Sequence, residues 1–79
     1  MRFSALQIKI LRLLYWGGMA DDRLALKIMP SGEQTRLFRD ALLRLRDAGY
    51  AYQDATYPSW WRSSKAGRQA LSELEEARP

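Results

Sequence analysis

The chain has 79 residues, a net charge of +4 and a pI of about 9.9, and it contains neither cysteine nor histidine. This length accommodates one domain, and the two missing residue types exclude disulfides, zinc–thiolate sites and most nucleophilic triads. We therefore expect a single domain over residues 1–79 that is not an enzyme, with no catalytic residues, no metal and no cofactor. The apolar run at 11–16 is too short to cross a bilayer, which predicts a cytoplasmic protein without a membrane partner.

The first predicted element is a helix that begins after Ser4. Ser4 and Gln7 have the spacing of a capping box, in which each residue satisfies the backbone N–H of the other. Gly17 and Gly18 are predicted to end the helix, since glycine takes the left-handed conformation at low cost. Four apolar residues fall on one face of the helix: Leu6, Ile10, Leu13 and Leu14.

A second and a third helix follow, separated by a tight turn. Asp21 is predicted to cap the second helix, and Pro30 to stop it. Residues 31–34 repeat the capping-box spacing and begin a third helix that runs to about Ala48, where Gly49 terminates it. The inward positions of these helices are Leu24, Ala25 and Ile28 in the second, and Phe38, Ala41, Leu42 and Leu45 in the third.

After Gly49 the pattern changes to that of a β-hairpin. Residues 50–53 alternate and are rich in aromatics, residues 54–59 form a polar loop with a proline, and residues 60–63 return as a second strand. Ser64 is predicted to cap a fourth helix from Lys65 to about Ala77. The expected packing side of that helix consists of Ala66, Ala70, Leu71 and Leu74.

This order of elements, mainly α with a small β-hairpin, resembles the winged helix-turn-helix family. Residues 41–51 look like the end of a recognition helix that runs into the first wing strand, and residues 61–67 resemble the strand-to-helix signature of PadR- and MarR-type regulators. Two positions depart from that signature: Ser63 stands where a leucine is usual and Ser64 where a threonine is usual. We expect Ser63 to leave the wing strand less anchored in the core.

The resemblance implies a small non-enzymatic protein that binds double-stranded DNA and regulates transcription. Its third helix would lie in the major groove, and a wing at 54–60 would touch the backbone or the minor groove. Arginine can read guanine and glutamine can read adenine, each through two hydrogen bonds. The residues that the resemblance implies for DNA binding are Gln34, Thr35, Arg36, Arg39 and Leu43 on the helix, with Tyr57, Trp60, Arg62 and Lys65 around the wing.

The sequence leaves several other interpretations open. Arginines on the outside of a helix are often only solvated, and Leu37, Asp40 and Leu43 suit a protein partner at least as well as DNA. The alternative function is thus a protein-interaction module, such as a small inhibitor or adaptor from a phage or other mobile element. The two leucines can equally belong to the core. The long extra helices through which full-length PadR and MarR proteins dimerise are not among the 79 residues, but a homodimer through the first and last helices also stays open.

The aromatic residues divide into core and surface predictions. Neighbouring residues of a strand point to opposite faces, so Trp61 is predicted to lie in the core with Tyr50, and Trp60 to point outward. Trp60 would then either cover the hairpin or anchor a partner at the wing. Tyr15 and Trp16 are predicted to close the far end of the core.

Overall fold

The structure of the protein, a computed structural model, describes residues 2–28 and 35–76, with only the backbone of Thr35. The predicted helix stop at Pro30, the capping box at 31–34 and the fourth helix's end at Ala77 lie outside the described residues. The elements in chain order are α1 (Ala5–Leu14), β1 (Met19–Ala20), α2 (Asp21–Ile28), α3 (Thr35–Asp47), β2 (Ala51–Gln53), β3 (Trp60–Ser63) and α4 (Lys65–Glu76).

The start of α1 was predicted correctly and its end was not. The backbone N–H of Gln7 donates to Ser4 Oγ at 3.1 Å, and the backbone N–H of Ser4 donates to Gln7 Oε1 at 2.8 Å, which completes the capping box. The helix nevertheless ends at Leu14, and neither Gly17 nor Gly18 has a positive φ. The chain bends at residues 15–17 and then pairs with β3 at residues 19–20.

The sheet has three strands rather than the two of the predicted hairpin. β1 joins the hairpin in the order β1-β3-β2, with both pairings antiparallel. Met19 lies opposite Trp61 in the first pairing, and Tyr52 lies opposite Arg62 in the second. A strand of two residues is too short to show an alternating pattern, so the sequence carried no signal for β1.

Gly49 terminates α3 as predicted. Its φ is +85°, in the left-handed region, and its N–H donates to the carbonyl of Arg46 at 3.0 Å. The N–H of Tyr50 donates to the carbonyl of Leu45 at 2.9 Å. These two bonds form a Schellman motif, which satisfies carbonyls at the helix end and turns the chain directly into β2.

The core lies where α1, α3 and the sheet meet. Trp61 is buried, as predicted, and the half-buried Tyr50 packs edge-on against Phe3 with ring centroids 5.0 Å apart. The buried apolar residues of the described chain are Ile10, Leu11, Leu14, Leu24, Phe38, Ala41, Leu42, Leu45, Ala51, Trp61 and Leu71.

Ser63 anchors β3 in the core, contrary to the expectation that it would weaken the anchoring. Its side chain is buried, and its Oγ donates to the backbone carbonyl of Leu14 at 2.9 Å. That carbonyl belongs to the last turn of α1, where no helical N–H is available to it. The hydrogen bond therefore satisfies two buried polar groups and ties the strand to the helix end.

α4 begins at the predicted cap, and its packing side agrees in part with the predicted one. Ser64 Oγ accepts from the N–H of Gly67 at 3.0 Å and donates to the carbonyl of Gly49 at 2.6 Å. Leu71 is buried and Ala70 is half-buried, as predicted, whereas Ala66 and Leu74 are exposed and Gly67 faces the core. A Cβ at Gly67 would overlap the carbonyl oxygen of Tyr50, so the glycine permits this close approach.

Trp16 does not close the core, and the prediction for it was wrong. Its side chain is 90% exposed, and it packs edge-on against Tyr15 with ring centroids 4.8 Å apart. The half-buried Tyr15 does pack against the core. Because α1 ends at Leu14, Trp16 follows the helix in a bend and no longer continues its buried stripe.

Three helices followed by a hairpin and a fourth helix form the winged helix-turn-helix fold, so the predicted fold class is confirmed. The hairpin β2–β3 and its loop are the wing. None of the helices in the described part of the chain has the length and apolar character needed to cross a membrane.

Candidate nucleic-acid interface

Two grooves flank the exposed side of α3. The first, which we call the wing groove, has a volume of about 520 Å³ and lies between α2, α3 and the sheet. The second, the α1 groove, has a volume of about 780 Å³ and lies between the N-terminal part of α1 and α3. The buried side chains of Phe38, Leu42 and Trp61 form the floor of the wing groove.

Basic residues line one edge of the wing groove. Arg36, Arg39 and Arg46 share this edge with the half-buried Leu43, and the four follow the spacing i, i+3, i+7, i+10 of one helix face. A helix rises about 1.5 Å per residue, so the first and last arginines lie about 15 Å apart along the axis. That distance is roughly the height of four stacked base pairs.

The acidic and apolar residues that had favoured a protein partner fall mostly on the other side of α3. Asp40 and Leu37 line the α1 groove together with Arg44. Leu37 is 55% exposed, whereas Leu43 packs against the core while it lines the wing groove. Asp40 therefore does not interrupt the row of arginines.

Arg46 connects α3 to the wing. Its guanidinium donates to Gln53 Oε1 at 3.1 Å and contacts the Asp47 carboxylate at 3.3 Å. Gln53 Nε2 in turn donates to the carbonyl of Pro58 at 2.9 Å, across the wing loop. Neither Arg46 nor Gln53 was among the predicted site residues. Arg46 could have been found from its spacing of seven residues from Arg39, which places both on one side of the helix. No local sequence pattern indicated Gln53.

Two carboxylates also line the wing groove, at the start of α2. Asp21 is fixed to the wing, because its backbone N–H donates to the carbonyl of Ser59 at 2.8 Å. Asp22 Oδ1 accepts from the backbone N–H of Arg23 at 2.8 Å. Neither carboxylate forms an ion pair with an arginine of the described chain. The groove thus has a basic α3 edge and an acidic α2 end.

Asp54 organises the wing loop. Its Oδ1 accepts from the backbone N–H groups of Thr56 at 2.8 Å and Tyr57 at 3.0 Å, and its other oxygen lies 3.7 Å from Arg62 Nε. These two backbone hydrogen bonds, that from Tyr57 foremost, and the nearby Arg62 lower the pKa of Asp54 below its ordinary value of 3.8. In this loop the side chain of Tyr57 is 69% exposed.

Three further predicted site residues lie apart from the wing groove: Trp60, Arg62 and Lys65. Trp60 is 38% exposed and its indole lies against Gly18, where a Cβ would overlap the ring. Arg62 lines a small depression with Tyr52 on the other face of the sheet, and Lys65 lies beside Trp16. Only the backbone of Thr35 is described, and Gln34 lies outside the described residues. Of the predicted site residues, the structure thus brings Arg36, Arg39 and Leu43 together along the wing groove.

The acidic side chains do not form a metal-binding cluster: within residues 2–28 and 35–76, no group of three approaches closely enough to hold an ion.

The fold and the groove define the chain as a winged-helix domain whose third helix carries a basic edge. Among solved structures, it is similar to a mutant of ZitR from Lactococcus lactis, with a TM-score of 0.69 and 18% sequence identity. The similarity covers 96% of this chain and 53% of the ZitR chain, so this chain spans about half the length of that protein. No protein-family model matches the sequence, and no curated protein matches it.

Proposed function

We propose that the chain is a non-enzymatic domain that binds double-stranded DNA and regulates transcription, with the wing-groove side of α3 in the major groove. The observation that carries this proposal is the row of Arg36, Arg39 and Arg46 along one edge of an exposed helix, beside an ordered wing. The major groove is about 12 Å wide and admits a helix.

The three arginines have two different roles in this arrangement. Arg36 and Arg39 lie on the N-terminal half of α3, the part of a recognition helix that reaches base edges. The bidentate geometry of the guanidinium suits guanine or a phosphate. Arg46 is held by Gln53 and Asp47, so it positions the wing relative to the helix. Tyr57, at the exposed tip of the wing, contacts the DNA backbone or the minor groove.

Binding to a protein remains the alternative function, and the structure gives it less support at this surface. The apolar residue on the wing-groove edge of α3, Leu43, is half-buried, and the more exposed Leu37 lies in the α1 groove beside Asp40. A protein-binding hot spot needs an apolar anchor that is available to the partner. Part of the Trp60 indole packs against Gly18, so this part is not available to a protein partner.

The first experiment measures duplex binding by fluorescence anisotropy as a function of salt. Phosphate contacts make the logarithm of the binding constant fall with the logarithm of the salt concentration, with a slope of about 0.9 per contact. We expect binding at low salt that weakens steeply as salt rises. We expect the double substitution Arg36→Ala plus Arg39→Ala to reduce affinity by about tenfold or more.

The matched control removes two positive charges elsewhere, through Arg44→Ala plus Lys9→Ala. Arg44 lines the α1 groove and Lys9 is exposed on α1, so the net charge changes equally while the wing groove keeps its arginines. We expect this control to lose no more than about threefold in affinity. The proposal fails if no duplex binds at low salt, or if the two double variants lose affinity equally.

A further inference from the structure

Aromatic and basic side chains cover the side of the sheet that faces away from the core. Trp60 and Arg62 point to this side, because alternate residues of β3 share a face and Trp61 between them is buried. Tyr52 lies opposite Arg62 on β2 and is exposed. We call this side of the sheet, with Trp16 at its edge, the outer sheet face. It lies opposite the wing groove, whose floor contains Trp61.

A depression of about 160 Å³ joins Trp16 to the outer sheet face. Trp16 and Tyr52 line it together with Gly17 and Gly18, and Trp16 is the most exposed large apolar side chain of the described residues, at 90%. A cavity of about 150 Å³ in a protein can hold a benzene ring, so the depression has room for one planar ring. The indole of Trp60 lies beside it, packed against Gly18.

Three cations accompany these aromatic residues. Arg62 and Arg68 line the same depression, and Lys65 lines a neighbouring one with Arg68 and Trp16. Arg68 donates to the carbonyl of Ser63 at 2.8 Å, which fixes its guanidinium at this face. A guanidinium has five N–H donors, so others remain for a ligand. Neither Lys65 nor Arg68 forms an ion pair within the described residues.

The carboxylates near this face are already engaged. Asp54 accepts two backbone N–H groups of the wing loop, and its second oxygen lies 3.7 Å from Arg62 Nε. Glu75, in a separate depression that Trp16 also lines, pairs with Arg12 at 3.1 Å. The outer sheet face therefore combines exposed aromatic rings with an excess of positive charge, which complements a polyanion that has planar groups.

We propose that the outer sheet face binds single-stranded DNA, with bases stacked on Trp16, Tyr52 and Trp60 and with phosphates on the three cations. Exposed aromatic rings beside basic groups are the features that bind unpaired strands. Tyr52 and Trp60 are diagonal neighbours of adjacent strands, about 7 Å apart. This distance is roughly twice the 3.4 Å per nucleotide of a duplex strand, so an extended strand can place successive bases on the two rings.

The observations favour this occupant over others. The bases of a duplex are stacked on each other, so only an unpaired strand offers their faces to the protein. The Trp60 indole packs against the sheet at Gly18, so it cannot insert into a membrane. Arg62, Lys65 and Arg68 carry only donors and offer no acceptor to the 2′-hydroxyl proton of RNA, so we assign the strand as DNA. The inference does not rest on the proposed function, because the wing groove lies on the other side of the sheet.

The first test measures binding of a labelled oligodeoxyuridylate of about 12 nucleotides by fluorescence anisotropy across a salt series. Three cations at about 0.7 each predict that the logarithm of the binding constant falls with that of the salt concentration with a slope of about 2. Oligouridylate of the same length differs only in its 2′-hydroxyl groups and should not bind more tightly. Tighter binding of the RNA would overturn the assignment to DNA.

The second test separates stacking from a merely structural role of the rings. Trp16→Ala and Tyr52→Ala should each weaken single-strand binding by about tenfold. Trp16→Phe and Tyr52→Phe keep a ring on which a base can stack, so their losses should stay within about threefold. All four variants change exposed side chains and are expected to fold. Phe variants that lose as much affinity as the Ala variants would contradict stacking.

The contribution of charge is tested with two lysines on different helices. Lys65→Ala should weaken single-strand binding by about threefold, because this lysine lies beside Trp16. Lys9→Ala is the matched control, since Lys9 is also exposed but lies on α1 and lines none of the depressions around Trp16. Equal losses for the two variants would mean that only the total charge matters, which overturns the site.

The third test distinguishes the outer sheet face from the wing groove. Arg36→Ala plus Arg39→Ala should leave single-strand binding within about twofold, and Tyr52→Ala should leave duplex binding within about twofold. A strand that is lost with the two arginines but retained in Tyr52→Ala binds in the wing groove, and the inference fails while duplex binding stands. The inference also fails if no single strand binds at low salt, including the case in which phosphatidylglycerol vesicles bind the wild type and not Trp16→Ala. Absence of duplex binding alone contradicts only the proposed function.

Discussion

Single residues decide how closely the elements of this domain approach one another. Gly67 lies where α4 passes the carbonyl of Tyr50, and that carbonyl also accepts the N–H of Ser64 at 3.0 Å. Ser63 holds the neighbouring strand through its bond to Leu14. Neither role could be predicted from hydropathy. A serine is tolerated in the core only where its hydroxyl finds a hydrogen-bond acceptor. Its acceptor here lies 49 residues earlier in the chain.

We predict that Gly67→Ala destabilises the protein, although alanine is the better helix former by about 1 kcal/mol. The new Cβ would overlap the backbone carbonyl of Tyr50, which cannot move without disturbing the hydrogen bond it accepts from the N–H of Ser64, the residue that caps α4. The net loss in the free energy of unfolding should be about 2 kcal/mol, which corresponds to about 10 °C in the thermal midpoint. Circular dichroism melting measures it.

Gly17→Ala is the control for this substitution, because a Cβ at Gly17 meets no atom within 4 Å and its φ is not positive. Its effect should stay within about 0.5 kcal/mol. Equal melting temperatures for the two variants would show that Gly67 does not set the packing distance of α4.

At the scale of elements, the sequence predicted what local interactions determine. The capping box at Ser4 and the terminator at Gly49 need only near neighbours, and both were predicted correctly. β1 and the exposure of Trp16 were not predicted, because both depend on where a distant strand lies. For the candidate site, the sequence identified the exposed arginines of α3. It did not show which groove each residue lines, since that depends on how the helix is rotated in the fold.

The wing loop is the element whose stability should depend on pH. The pKa of Asp54 is lowered from 3.8 in the folded protein, so the ionised carboxylate stabilises the folded form. This contribution is fully present above pH 3.8 and is lost as the pH falls through the lower, folded pKa. We predict that Asp54→Asn, which keeps an acceptor oxygen but removes the charge, is less stable than the wild type at neutral pH.

The difference between the two proteins should shrink as the pH falls below 3.8 and disappear once Asp54 is protonated. Urea unfolding of both proteins from about pH 6 to about pH 3 measures this difference. A constant difference over that range would mean that the charge of Asp54 does not contribute to the stability of the wing.

At the scale of the whole molecule, the distribution of charge carries more information than its sum. The net charge of +4 is modest, and acidic residues accompany the basic ones along the chain. Folding separates them into a basic edge at Arg36 and Arg39, and an acidic end at Asp21 and Asp22 of the same groove. If DNA lies in the wing groove, these carboxylates weaken its binding and limit association with arbitrary sequences.

We predict that Asp22→Asn increases the affinity for arbitrary duplexes by about threefold at low salt, because it removes a charge that repels phosphate. The amide oxygen can still accept from the N–H of Arg23, so the start of α2 should be retained. Asp40→Asn changes the net charge equally but lies in the α1 groove, so its effect on affinity should be smaller. Both variants are compared with the wild type by fluorescence anisotropy across a salt series. If the two substitutions raise the affinity equally, only the total charge matters and the wing groove does not face the DNA.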